Sequence, residues 1–254
     1  MIQGLVNFTD YFKDNKDDYI VIGGLATAMV MNDLGFTFRA TKDIDLVVIS
    51  NDNEEFLKKL LQFINIAGYK TKQRTNHESK HNLFRFFDSD DESYPAQLEL
   101  FAIHQENSVM FTDNHIIPIE TPEYYDDLSA ILLDKDYFDL LIEHTTEIEG
   151  LHVATPEVLI PLKMHAHLNL LKKEHPDNKK HLRDVIRLST LLDDETSVLL
   201  KGAPKNDFIE FMPILEELDE KRIKDIIKGT NSSSNLTKEI ILNLLRSVYL
   251  ILNV

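Results

Sequence analysis

Residues 42–50, KDIDLVVIS, put two carboxylates at the head of a run that reads as a buried strand. Side chains alternate across a strand, so Asp43 and Asp45 share one face, while Ile44 and Leu46 share the other. Two like charges at that spacing repel and raise one another's pKa unless a cation stands between them. The run therefore calls for a strand with one face in a core and one acidic face, and the acidic face has the local chemistry of a divalent metal site.

The flanking pattern is that of an α/β region. A helix near 4–15 precedes YIVIGG, a β-rich stretch ending in Gly23 and Gly24, and LATAMVMNDLG then forms a helix that Gly35 can close at C′. After the acidic strand, NEEFLKKLLQFINIAG places Phe56, Leu57, Leu60, Leu61 and Ile64 at helical spacing. Three strand-like stretches follow, YKTKQR, HNLFRFFD and AQLELFAIH. From VATPEVLIPLKMHAHLNLLKK onward the pattern turns helical. Thr155 stands at an N-cap position, Pro156 fits the first helical position, and Glu157 suits the first turn. The expected fold is an α/β (α+β) domain with a mixed sheet over 1–150, followed by an all-helical domain over 151–254.

With 254 residues and 43% hydrophobic content, the chain can bury one large core or two modest ones. Having no cysteine, it has no disulfide, thiolate metal site or cysteine nucleophile. A net charge of −16 opposes non-specific binding to nucleic acid or anionic membranes, although a local basic patch could still hold an RNA end. No run approaches a membrane span, and MIQGLVNFTDYFKD has neither a basic n-region nor an apolar h-region, so a cytoplasmic protein without membrane partners is expected. There is no Gly-x-Ser-x-Gly elbow, and no Walker or Rossmann glycine motif. His165 and His167 face different directions on a helix, which argues against zinc.

Gly23 and Gly24 lie between a strand and a helix, where missing Cβ atoms let backbone N–H groups approach a phosphate. Alone, such a turn is mostly a packing device. Glu99 is the ionised residue in the apolar, alternating AQLELFAIH. Alone it reads as an edge-strand glutamate facing water, but beside an Asp-x-Asp strand the metal reading is the better one. Mg²⁺ or Mn²⁺ held by Asp43, Asp45 and Glu99 would align a nucleoside triphosphate with an attacking oxygen, the third acid binding metal or accepting a proton. Arg39 and Lys42 flank the aspartates and could neutralise either a triphosphate or the carboxylates themselves.

In their order, the Gly-Gly helix, RATKDIDL and a strand with a further acid, these residues resemble the nucleotidyltransferase superfamily of the DNA polymerase β type. More narrowly, IGGLATAMVMNDLGFTFRATKDIDLVV, with TPEVLIPLKMHAHLNLL and KKHLRDVIRL later in the chain, is similar to the AbiEii/AbiGii toxin-like nucleotidyltransferases. The resemblance implies transfer of an NMP from an NTP to a tRNA, a protein or a small molecule, catalysed by Asp43, Asp45 and Glu99 with a divalent metal. It also implies a cognate antitoxin as a partner. Lys163, Lys180 and Asp184 become nucleotide contacts beside Gly23, Gly24, Arg39 and Lys42; without the resemblance, Lys180 and Asp184 read as a solvated i, i+4 salt bridge. Two positions depart from the family pattern. Leu25 follows Gly24 where a hydroxyl residue is usual, leaving Thr27 to supply one, and His181 stands at the inner aspartate of a Lys-Asp-x-x-Asp run. A catalytically silent nucleotide-binding protein with the same fold is the alternative these departures leave open.

Overall fold

The computed structural model describes residues 3–39, 41, 43–49, 53–71, 85–89, 91–103, 116–118, 129–228 and 236–251. Helix α1 (Leu5–Tyr11) leads through a 3₁₀ turn (Lys16–Asp18) to strand β1 (Tyr19–Ile22), helix α2 (Gly23–Asp33), strand β2 (Asp43–Val48) and helix α3 (Glu54–Ile66). Strands β3 (Lys70–Thr71), β4 (Arg85–Phe87), β5 (Gln97–Ile103), β6 (Ile116–Pro118) and β7 (Ser129–Leu133) follow, then helix α4 (Lys135–Glu143) and strands β8 (Thr145–Ile148) and β9 (Leu151–Ala154). The remainder is α5 (Pro156–Lys172), α6 (Asn178–Ser189), β10 (Val198–Leu200), α7 (Gly202–Glu217), α8 (Glu220–Lys228), α9 (Lys238–Val248) and β11 (Tyr249–Ile251). This is an α+β chain with a mixed sheet and a helical part.

Two compact units interleave along the sequence. The first comprises Met1–Leu25, Ala40–Phe138 and Thr145–Val153; the second comprises Ala26–Arg39, Asp139–His144 and Ala154–Val254.

In the first unit the strands run in the order β3-β4-β5-β2-β1-β9-β8. Strand β2 is antiparallel to β1 and parallel to β5, and β1 meets β9 in parallel. The far edge of β5 is shared: β4 pairs antiparallel with its first residues and β7 parallel with its last. Ile44, Leu46, Leu98 and Leu100 are fully buried, as alternation in an amphipathic strand requires. An aromatic cluster of Phe8, Phe12, Tyr19, Phe56 and Phe63 locks α1 and α3 together, with Tyr19 and Phe56 stacked at 6.0 Å and Phe8 edge-on to Phe63 at 5.7 Å. Rings in these geometries add to the area they bury.

Helix α2 ends as its glycine predicts. Gly35 has φ +78°, its N–H donates to Asn32 O, and Phe36 N–H donates to Met31 O, which together make a Schellman closure. Helix α5 starts at Pro156, but the Thr155 hydroxyl makes no capping bond and is buried without a partner among the described residues. Here the proline's preset φ is the device that starts the helix.

The second unit carries one element that helical periodicity does not reveal, a parallel pair of β10 and β11 with Leu199 opposite Leu250. Tyr249, 2% exposed, donates its hydroxyl to Glu157 O at 3.0 Å and so fastens β11 to the first turn of α5. VLL and YLI are each three residues long, and a run that short has no period to read. No helix among the described residues is long and apolar enough to cross a membrane.

Candidate active site

The register of two parallel strands builds the acidic face. Asp45 pairs with Glu99 and Asp43 with Gln97, so Asp43, Asp45 and Glu99 project to the same side of the sheet, on strands about 4.8 Å apart. All three are partly exposed, while the intervening Ile44 and Leu98 are fully buried. Gln97 donates its side-chain amide to Glu99 Oε1 at 2.5 Å, which fixes one oxygen of that carboxylate.

Asp45 is held against the glycine turn. Ile22 is its cross-strand partner, and the next residue, Gly23, has φ +71°. A Cβ on Gly23 would lie 1.8 Å from Asp45 Oδ2 and 2.7 Å from Asp45 Cγ. Only glycine permits both that dihedral and that approach. Gly24 follows in the first turn of α2, partly exposed, where backbone N–H groups have no intrahelical acceptor. Thr27 lies further along α2 and is fully buried.

Carboxylate oxygens are the ligands that hard divalent cations take. Asp43, Asp45 and Glu99 supply oxygens of this kind on one face of the sheet. The side chains do not form a ready cage: among the described residues, no three His, Asp or Glu groups are grouped to hold an ion. Glu99 is turned to Gln97, and Asp45 lies over Gly23.

A second polar centre lies within the helical unit. Asp184, on α6, has no exposed side-chain surface. Its Oδ2 accepts a hydrogen bond from Arg39 Nη2 at 3.1 Å and is 3.5 Å from Lys163 Nζ on α5. Arg187, one turn further along α6, brings Nη1 to 3.8 Å from Asp184 Oδ1. Lys163 is 5% exposed. Such a buried cation is tolerated only with a partner of opposite charge. The side chain of Lys180 is exposed, and Asp184 is paired by Arg39, Lys163 and Arg187.

His181 lies beside this centre. Burial pushes its imidazole down to about 4, the positive charge of Lys163 adds to the effect, and Asp184 partly opposes it. His181 is therefore neutral at physiological pH. Phe38 supports the arginines, with the Arg39 guanidinium 5.1 Å and that of Arg187 5.9 Å from its ring centre. Arg187 and Phe38 were not among the residues singled out from sequence. The available signal was the i, i+3 spacing of Asp184 and Arg187. Lys42 lies outside the described residues.

No family model matches the chain, and no curated protein does. Among solved structures, the chain is similar to an antigenic nucleotidyltransferase-like protein from Paracoccidioides brasiliensis, at 14% identity and a TM-score of 0.47 over 90% of this chain and 94% of that one. It is also similar to ANT(2″)-Ia in complex with adenylyl-2″-tobramycin, at 15% identity and a TM-score of 0.42 over 75% of this chain and 89% of that one. The solution structure of the antibiotic-resistance factor ANT(2″)-Ia matches at 15% identity and a TM-score of 0.42 over 84% and 91% of the two chains.

Proposed function

We propose that the chain is a metal-dependent nucleotidyltransferase that moves an NMP from an NTP to an acceptor hydroxyl or phosphate. The observation that carries this reading is the in-register placement of Asp43, Asp45 and Glu99 on one face of the sheet, with Asp45 pressed on the glycine that opens α2. An acidic face of this kind, set on strands whose other face is core, has a use when cations meet it.

Asp43, Asp45 and Glu99 are the residues that would hold Mg²⁺ or Mn²⁺, which when bound supplies charge neutralisation at the phosphate under attack. Glu99 is also assigned to accept the acceptor's proton. The N–H groups of Gly23 and Gly24 at the start of α2 serve a phosphate oxygen through the positive end of the helix. Arg39, Lys42, Lys163 and Lys180 are assigned to the phosphates by charge, with Asp184 orienting Arg39 and Lys163. The sequence resemblance extends the proposal to a toxin of a toxin–antitoxin or phage-defence system, with an antitoxin that masks it.

Incubation with α-labelled NTPs and Mg²⁺, alongside total RNA, protein and metabolite fractions, tests the proposal. Label should enter one fraction with the native chain and none with Asp43→Ala or Asp45→Ala. Entry into RNA would identify a nucleic-acid acceptor, and entry into metabolites a small one. A second reading, a nucleotide-binding protein without turnover, rests on Leu25 after Gly24 and on His181 between Lys180 and Asp184, the two departures from the family pattern. Nucleotide binding with no label in any fraction would select that reading.

A further inference from the structure

We propose that Phe87 is the floor of a subsite beside the acidic face, and that this subsite takes a planar heterocycle bearing an amino group. The subsite lies wholly within the sheet unit. It rests on the nucleotidyl-transfer reading only in assigning that ring to the acceptor molecule.

Register is the first ground. Strand β4 runs antiparallel to β5 with Phe87 opposite Gln97, and Gln97 is level with Asp43 on β2. Directly opposed residues share a face of the sheet, so Phe87 stands in one row with Gln97 and Asp43, and Glu99 is its diagonal neighbour at roughly 7–8 Å. Phe86 faces the other way and is 1% exposed, whereas Phe87 is partly exposed. The core explains Phe86. An aromatic ring in a polar, partly exposed row is instead a stacking surface for another flat ring that reaches Glu99.

Position assigns the ring to the acceptor molecule. The strands run in the order β4-β5-β2-β1, and the glycine turn assigned to the phosphates follows β1. Phe87 is therefore three strand spacings from that turn, about 14 Å. It lies instead on the strand next to Glu99, the acid assigned to take the acceptor's proton.

Hydrogen-bonding character is the third ground. On one side of Phe87 the row is rich in hydrogen-bond acceptors: Asp43 is a carboxylate, and Gln97, with its amide nitrogen turned to Glu99 Oε1 at 2.5 Å, meets a ligand through its carbonyl. On the other side Lys70, exposed at the sheet edge, is opposite Phe87 and carries only N–H donors. A heterocycle lying on Phe87 matches this row when its amino group points to Gln97 and Asp43, and a ring carbonyl or nitrogen points to Lys70. Cytosine has that layout. Uracil has a carbonyl in place of the amino group and sets one hydrogen-bond acceptor against another.

Fluorine NMR of the full chain labelled with 4-fluorophenylalanine, in EDTA and with cytidine and uridine as probes, tests the subsite. Loss of a resonance in Phe87→Leu assigns the Phe87 signal. That signal should shift with cytidine, with an affinity roughly fivefold or more above that for uridine, the scale of one hydrogen bond. Gln97→Leu, which keeps the labelled ring, should erase the preference, with a melting curve to check the fold. No cytidine-dependent shift at Phe87 in the native chain, an equal response to uridine, or a preference that survives in folded Gln97→Leu overturns the subsite. A cytidine-selective shift at Phe87 in a chain that transfers no label upholds the subsite while the transfer reading falls. Label transfer by a native chain with no shift at Phe87 does the reverse.

Discussion

The sheet unit leaves Asp43, Asp45 and Glu99 partly in solvent, on strands whose other face is core, and gathers them by register alone. The helical unit hides Asp184 completely and surrounds it with Arg39, Lys163 and Arg187. In the first centre like charges share a face. In the second, opposite charges meet around a buried carboxylate. Removing a carboxylate should therefore have opposite consequences: relief of repulsion in the sheet, and stranded cations among the helices.

The largest effect is expected at Asp184. Asp184→Ala should cost about 3–5 kcal/mol in urea unfolding, since it removes a fully buried carboxylate from between Arg39, Lys163 and Arg187. Pairing Asp184→Leu with Lys163→Met should restore much of that loss. A single variant costing under about 1 kcal/mol would show that the cations relax into water and that the contrast between the centres is false.

Gly23→Ala comes next. The left-handed dihedral alone should cost about 1–2 kcal/mol, and the new methyl must displace the Asp45 carboxylate. Adding Asp45→Ala removes the carboxylate overlap and leaves the dihedral strain with a tight Cβ contact at 3.0 Å. If the double variant is no more stable than the single, the close approach of Asp45 is not what confines this position to glycine.

A pH series sharpens the contrast further. His181 holds its proton only below about 4 in the folded chain, against 6.5 as its ordinary value. Between those values the unfolded chain takes up a proton that the folded one refuses. Stability should thus rise with pH across this window and be lost as pH falls, with a slope of at most about 1.4 kcal/mol per pH unit from this group. His181→Leu should flatten the profile between pH 4 and 6.5; an unchanged slope would assign it to other groups.

The smallest change in stability is expected at the acidic face. Asp43→Asn should shift unfolding by no more than about 0.5 kcal/mol, in the stabilising direction, because the side chain is partly exposed and faces like charge. Its effect belongs in the transfer assay instead. A large loss of stability would mean that Asp43 is structural.

Much of the sheet unit was legible in the chain itself. Alternation from Ile44 to Leu46 and from Gln97 to Leu100 assigns each side chain to a face with no knowledge of its neighbours, and the structure buries the apolar members as that pattern requires. Gly35 and Pro156 likewise end and start helices through their own backbone preferences. What remained closed was whatever depends on a partner far away in sequence. Asp184 meets Arg39 across 145 residues, so helix spacing pointed to Lys180 while packing turned the acid inward. Phe38 gains its role only because two arginines from different segments fold over it. The sequence by itself determined which residues face a core and which backbone positions must be glycine or proline, because those choices follow from the dihedral angles and periods of single elements. Tertiary structure alone decided which charges meet, because ion pairing depends on distances between elements that no local pattern encodes.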